Sequence, residues 1–389
     1  MMKKNYNHPQ KLIFVTCMPM SEPRSASMYY MKILLDRHAS IFTWFSLRKT
    51  RKSFNEWEIP YCSTSPINFP KSNSNLRRFV NLYPWAFARA LKAIWFGWNN
   101  NVQIVFSDLA FEAVIVGRLV AKILNVPLIS MIHDDPINRI EKKDYPKWIL
   151  SIYKTSFKKA LKSSTSVSVI SDYMGEFYQS KYDIKPTTLF PGIPDDKLMP
   201  LKKISTNRNT FIIGMVGSIN CMKNWLLLIE VCEQINRLKG KDKIKIIHVG
   251  KKPRLAPARK LVEYCGHLED KKLDSKLSRF NVGLLTWEFR KKASVTVETS
   301  LPLKIISYIK AGIPMFAFGP ERSSIVRFVH DNKCGTACTK RNNKLLFNKL
   351  TELIENDNMK KKIFLGLSDL RKKYSREKFH SRFLEIIRT

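Results

Sequence analysis

The chain has 389 residues, 44% of them hydrophobic and 26% charged, which argues against a disordered or fibrous protein and exceeds what one core accommodates. Its 68 Lys+Arg stand against 32 Asp+Glu, a formal charge of +36. Partners that carry phosphate are therefore expected: phosphorylated substrates, an anionic membrane surface or nucleic acid.

Taken in order, the apolar run Leu12–Met20 reads as a first strand, being too short and lacking the small-residue site of a signal peptide. Strands follow at SIFTWFS, QIVFSD, PLISMIHD, SVSVIS and TTLFP. Between the first and second of these lies Asn75–Trp98, dense in Arg, Lys, Trp and Phe. It suits either an interfacial element with basic heads on lipid or a helix with snorkelling cations. A helix with Ala113, Val116, Leu119, Val120, Ile123 and Leu124 on one face precedes Asn125 and Pro127, which end it. From Pro200 to Asn209 the apolar pattern stops, as in an interdomain linker. A second series begins with FIIGMVGS and a helix from about Trp225 to Leu238, then KIKIIHVG, LVEYC, a helix near Asp270–Arg279 and NVGLLTW. An amphipathic helix after Pro302, the strand PMFAFGP and a helix from Arg322 complete it. Strands alternating with helices make parallel sheets, so the fold class is α/β with two doubly wound, Rossmann-like domains facing across a cleft.

No stretch reaches the roughly 18 apolar residues of a spanning helix. Phe111–Ile132 comes nearest, and Arg118, Lys122, Asn125 and Pro127 break it. The seven cysteines lack zinc or disulfide spacing, which suits reduced thiols in a cytoplasmic protein, soluble or peripheral on the membrane.

Two segments offer anion sites. In IGMVGSINCMKNW a buried strand ends at Gly217 and Lys223 precedes an apolar helix; the loop amides and the ammonium suit a diphosphate, without the pattern of a Walker or dinucleotide loop. In SLPLKIISYIKAGIPM, Lys304 occupies the first turn of a helix. The helix dipole disfavours a cation there, so the position makes sense when an anion shares it; a surface lysine with a buried stem is the alternative.

The order and distance of VGSINCMKN and LPLKIISYIKAGIPM, with KIIHVG, VEYCGHL and NVGLLTW between them, resemble the GT-B glycosyltransferases. The similarity is to the retaining group (group 1, family 4-like) that uses nucleotide-diphosphate sugars. In the first half PLISMIHDDP and SVISDYM with LFPGIPD fit the last strands of the acceptor domain. The resemblance implies an acceptor-binding domain over 1–200, a donor-binding domain over 201–372, and a C-terminal helix over 373–389 packing back towards the first domain. It places Gly217, Ser218 and Lys223 on one side of the donor diphosphate, and Leu303, Lys304 and Ile305 on the other. Gly266, His267 and Leu268 would line the nucleobase, and His133 would face the transferred sugar. Arg24 would lie on the phosphate or acceptor side of the cleft. One departure concerns ribose: the family's glutamate, five residues before the helix-ending glycine, is Ser307 here, and its partner position is Thr299 beside Glu298.

Cleaving a sugar–diphosphate bond needs stabilised negative charge on the leaving group, for which Lys223, Lys304, Arg24 and Arg290 are candidates. No metal and no cofactor beyond the donor substrate is called for. With retention the departing phosphate takes the acceptor proton. With inversion a base is needed, and His133, Asp134 and Asp135 end their strand in the right place. For Asp134 and Asp135 the competing role is to cap the following helix. The expected acceptor is a glycan or a lipid-linked molecule of surface polysaccharide or glycoconjugate synthesis, with residues 75–98 against anionic lipid. A sugar-nucleotide epimerase of the same fold is an alternative, and so is a basic nucleic-acid-binding protein. The second is disfavoured by dispersed charge and the lack of any RNP, helix-turn-helix or zinc-finger pattern.

Overall fold

The computed structural model describes residues 10–20, 26–49, 56–66, 74–141, 145–193, 197–201, 210–240, 243–253, 259–289 and 294–388. The chain divides into two compact units, Met1–Pro191 with His380–Thr389, and Gly192–Phe379. Of the polar stretch read as a linker, residues 202–209 lie outside the described residues.

Among the described residues the first unit holds seven parallel strands: β1 Leu12–Thr16, β2 Phe42–Ser46, β3 Tyr61–Ser63, β4 Ile104–Asp108, β5 Leu128–Ile132, β6 Ser166–Val169 and β7 Thr187–Thr188. Their order is β3-β2-β1-β4-β5-β6-β7. Its helices are α1 Ala26–His38, α2 Ser74–Leu82, α3 Pro84–Asn99, α4 Ala113–Leu124, α5 Pro136–Glu141, α6 Lys147–Ser163 and α7 Asp172–Tyr182. Every residue of β1, β2, β4 and β5 is buried, which is why these strands read as unbroken apolar runs: helices cover both faces of a parallel sheet.

The second unit has β8 Phe211–Val216, β9 Ile244–Val249, β10 Val262–Tyr264, β11 Val282–Thr286, β12 Met315–Phe318 and β13 Gly335–Cys338, all parallel, in the order β10-β9-β8-β11-β12-β13. Its helices are α8 Met222–Lys239, α9 Asp270–Leu277, α10 Val295–Thr299, α11 Lys304–Ala311, α12 Ser324–Asp331, α13 Asn343–Glu355 and α14 Asp357–Lys373. The last helix, α15 Arg376–Arg388, contributes its residues from His380 onward to the first unit. There Phe383 is buried, stacked on Phe42 at 5.9 Å and edge-on to Phe106 at 6.0 Å.

Chain order reverses between β1 and β4 in one sheet and between β8 and β11 in the other. Ligand sites of open parallel sheets form at such switch points, beyond the carboxyl ends of the strands. The sequence reading lacked the edge strands β3 and β13, whose segments YCS and GTAC carry little apolar signal. It also started α8 too late. Cys221 is the extended N-cap, so Lys223 belongs to the first turn of the helix rather than to the loop before it.

Candidate functional site

In the second unit the site is built on Gly217, the residue after β8, at φ +83°. Its N–H donates to the Val249 carbonyl (2.8 Å) and its carbonyl meets Nε2 of buried His248 at 2.8 Å. A carbonyl only accepts, so Nε2 carries the proton. Nδ1 is left buried and without a hydrogen-bond partner among the described residues. Burial lowers the pKa of His248 from its ordinary value; the bond to Gly217 opposes the shift, and the charges of Lys304 and His267 add to it. The imidazole is therefore neutral at physiological pH and acts as a fixed strut under the loop. Trp225 and Tyr264 pack edge-on around it, and the Trp225 indole donates to the Tyr264 hydroxyl (3.2 Å). Gly250 comes so close to Gly217 that a Cβ there would sit 2.5 Å from the Gly217 oxygen; its φ of +154° suits glycine as well. Gly250 in turn bridges to Gly266.

Helix α11 brings Lys304 to this loop. Ile305, Tyr308 and Ile309, at the i, i+3 and i+4 positions of its inner face, are wholly buried. The Tyr308 hydroxyl accepts from the Val216 amide (3.1 Å) and donates to the Leu284 carbonyl (3.1 Å). This one oxygen ties α11 to β8 and β11 at the switch point. At the other end Gly312 closes the helix at φ +62°, and Arg371 donates to the carbonyls of Ile309 (3.0 Å) and Lys310 (2.9 Å). So anchored, Lys304 lays its Cε 3.9 Å from where a Gly217 Cβ would be. Its stem is half-buried, and burial pushes the ammonium down from its usual value to about 8. It has no hydrogen bond or ion pair among the described residues. Among the described residues no side chain caps the N-terminus of α11, so the helix dipole adds to the positive potential there.

The predicted residues thus fall into groups. Gly217 and Lys304 meet directly, and Gly266 joins them through Gly250. Ser218 and His267 are exposed near the same loop. Lys223 is exposed in the first turn of α8, and no contact joins it to Lys304 among the described residues. Ser307 lies one turn beyond Lys304, half-buried, and Glu298 is half-buried on the short helix α10; neither side chain has a polar partner among the described residues. Leu303 is the N-cap position of α11 and Ile305 part of its core face. Arg24 and Arg290 lie outside the described residues.

In the first unit His133 follows β5. Its Nδ1 is 3.7 Å from Asp108 at the end of β4, its ring stands edge-on to Tyr30 at 4.9 Å, and neither ring nitrogen makes a hydrogen bond among the described residues. Asp108 also accepts from the Thr16 hydroxyl (3.3 Å), across the β1–β4 switch point. Asp134 is exposed, 3.7 Å from Arg139. Asp135 is buried and caps α5 through the Asn138 amide (2.6 Å) while accepting from Tyr178 (2.7 Å), so it is held by structural bonds.

Sequence reasoning missed His248, Asn224 and Asp108. Asn224 is fully buried in α8 and donates to the Trp287 carbonyl after β11 (2.8 Å). The available signal was a polar residue inside or ending an otherwise apolar segment: His in KIIHVG, Asp in QIVFSD.

No protein-family model and no curated protein matches the sequence. Solved structures do match. Anabaena HepE in complex with UDP and glucose superposes with a TM-score of 0.68 at 14% identity, over 98% of this chain and 100% of that one. Sucrose-phosphate synthase from Thermosynechococcus elongatus gives 0.70 at 12%, over 97% and 98%. The lipopolysaccharide outer core galactosyltransferase WaaB gives 0.63 at 13%, over 97% and 99%. The fold is GT-B. Fold alone does not carry function. In this GT-B chain the Gly217–Lys304 pair and the Asp108–His133 pair each occupy the switch-point edge of one Rossmann-like unit.

Proposed function

We propose that this protein is a glycosyltransferase that moves a sugar from a nucleotide-diphosphate sugar to a glycan or lipid-linked acceptor, with retention of configuration. The observation that carries the reading is Lys304: a desolvated ammonium with no partner among the described residues, at a helix N-terminus that none of them caps, laid against a glycine loop. A cation in this setting is stabilised by a diphosphate, which brings its pKa back up. The HepE structure holds UDP and glucose, so UDP-sugars are the first donors to test. Lys304, the amides at the start of α11 and the loop at Gly217–Ser218 are assigned to the diphosphate, with Lys223 approaching from α8. Gly266 and His267 are assigned to the nucleobase, and Glu298 or Ser307 to the ribose.

As the bond from the anomeric carbon to the diphosphate breaks, negative charge grows on the leaving oxygen, and the cation and amides already aimed there lower the barrier. The acceptor oxygen bonds to the anomeric carbon from the same face, and its proton passes to the departing diphosphate. In this scheme His133, Asp134 and Arg24 orient the sugar and acceptor. The proposed work belongs to surface polysaccharide or glycoconjugate synthesis, in the cytoplasm or on the cytoplasmic face of the membrane.

Calorimetric titration with UDP, GDP and ADP tests the donor site. One nucleotide should bind, and Lys304→Met should weaken it roughly 10- to 100-fold, as expected for a charged hydrogen bond of about 1.5–3 kcal/mol. Failure of all three to bind, or unchanged affinity in the variant, rejects the assignment. NMR of the product from the preferred sugar nucleotide and a membrane extract gives the stereochemistry: inversion rejects the retaining scheme, and an epimerised nucleotide sugar rejects transfer.

A further inference from the structure

Helix α3 is built inside out for a water-facing helix. Its buried face is Ala86, Arg89, Ala90, Ala93 and Gly97. Ile94 and Phe96 pack against the core, but four large apolar side chains point outward: Phe87 is 54% exposed, Leu91 66%, Trp95 63% and Trp98 74%. They recur at i, i+4, i+8 and i+11, a single stripe along the helix. The small residues allow α3 close to α4, where Leu124 would touch a Cβ placed at Gly97 (3.1 Å).

Of the two readings of 75–98, cations on lipid or cations snorkelling from a buried helix, Arg89 fits neither. It is buried, donates to the carbonyls of Leu47 (3.2 Å) and Asn81 (3.0 Å), and lies 3.6 Å from Glu112. Its work is to fix α3, so the aromatic stripe is held outward by the core.

A second exposed pair lies beside α2, the helix that precedes and packs on α3. Trp148 and Ile152, on successive turns of α6, are exposed, and the Trp148 ring lies 5.0 Å from Phe79 of α2. The sequences of α2, α3 and α6 contain no Asp or Glu. Lys92, Lys147, Lys158, Lys159 and Lys162 of these helices are exposed. A protein partner accepts apolar groups and many charge patterns; a surface of Trp, Phe and Leu with lysines and no carboxylate on any of three helices matches the headgroup region of an anionic leaflet.

We propose that the exposed stripe of α3, together with the Trp148 edge of α6 that reaches it through Phe79 of α2, docks the first unit onto an anionic lipid bilayer. The proposal stands on this face and not on the donor site, so it can fail while nucleotide binding holds. The full chain is sedimented with vesicles of phosphatidylcholine alone or containing phosphatidylglycerol, with tryptophan emission recorded. The protein should partition to the anionic vesicles, release with salt and shift its emission to the blue. The double variant Leu91→Ser/Trp95→Ser should lower partitioning about tenfold or more, with unchanged thermal unfolding and UDP affinity. Absence of binding to anionic vesicles, or equal binding by the variant, overturns the proposal. So does a concentration-dependent dimer that the variant dissolves, because the stripe would then be a protein interface.

Discussion

His248 and Lys304 are adjacent titratable groups with different tasks. His248 is wholly buried, and through its bond to the Gly217 carbonyl it sets where the loop amides point. His248→Ala should therefore cost affinity for the nucleotide and turnover together, whereas His248→Gln, able to donate to the same oxygen, should recover much of both. A purely structural role would lower the unfolding temperature without this rescue. For Lys304 the pH dependence has a definite sign. Its folded pKa of about 8 lies below the ordinary 10.5, so the unfolded chain holds more protons between those values and stability rises with pH there. The diphosphate needs the protonated form. Donor affinity should consequently fall above about pH 8, and Lys304→Met should bind weakly with no such fall, as calorimetry across pH 7–9.5 would show. The lysine was legible from the dipole conflict of a cation in a helix's first turn. The histidine was not, because a buried neutral imidazole in a strand has the same periodic position as any core side chain.

Among the elements, α11 is held by one hydroxyl more than by its length. Tyr308→Phe keeps the ring but leaves the Val216 amide without its acceptor; a buried unpaired backbone donor costs about 1–3 kcal/mol. Denaturant unfolding should show that loss, and donor affinity should fall with it if the tie sets the position of Lys304. Long elements with strong periodicity were readable: α4, the strands of both sheet centres, and α11 with its Gly312 stop. Edge strands were not, because half-exposed β3 carries no apolar pattern. Helix α3 was read only as far as its composition went. Arg, Trp and Phe at helical spacing do not tell which face is inward, and only the packing of Ala86, Ala90, Ala93 and Gly97 against α4 decides it.

At the scale of the whole chain, fold was written in the order and spacing of strands and helices, a signal that survives at 12–14% identity to the solved structures where direct sequence matching finds nothing. For the end of the chain only the family resemblance pointed to the first unit, since α15 has ordinary amphipathic spacing that does not by itself reveal which unit it serves. Within the first unit His38 Nε2 meets His380 Nδ1 at 3.1 Å. Burial, and then the neighbouring Arg37, lower the His38 pKa from its usual 6.5. With the folded value depressed, the unfolded chain takes up protons first, so stability falls as pH drops below about 6.5. Thermal unfolding from pH 7.5 to 5 should show this, and His38→Gln should flatten the dependence.

The membership of His380 onward in the first unit has a consequence for synthesis. On the ribosome, the seven-stranded sheet emerges with Phe42 and Phe106 still lacking Phe383. That ring arrives only after all of Gly192–Phe379 has been translated, a delay on the order of 10–40 s at ordinary elongation rates. The half made first is thus the half finished last, and throughout that interval an aromatic face of its sheet is open to chaperones or to other nascent chains.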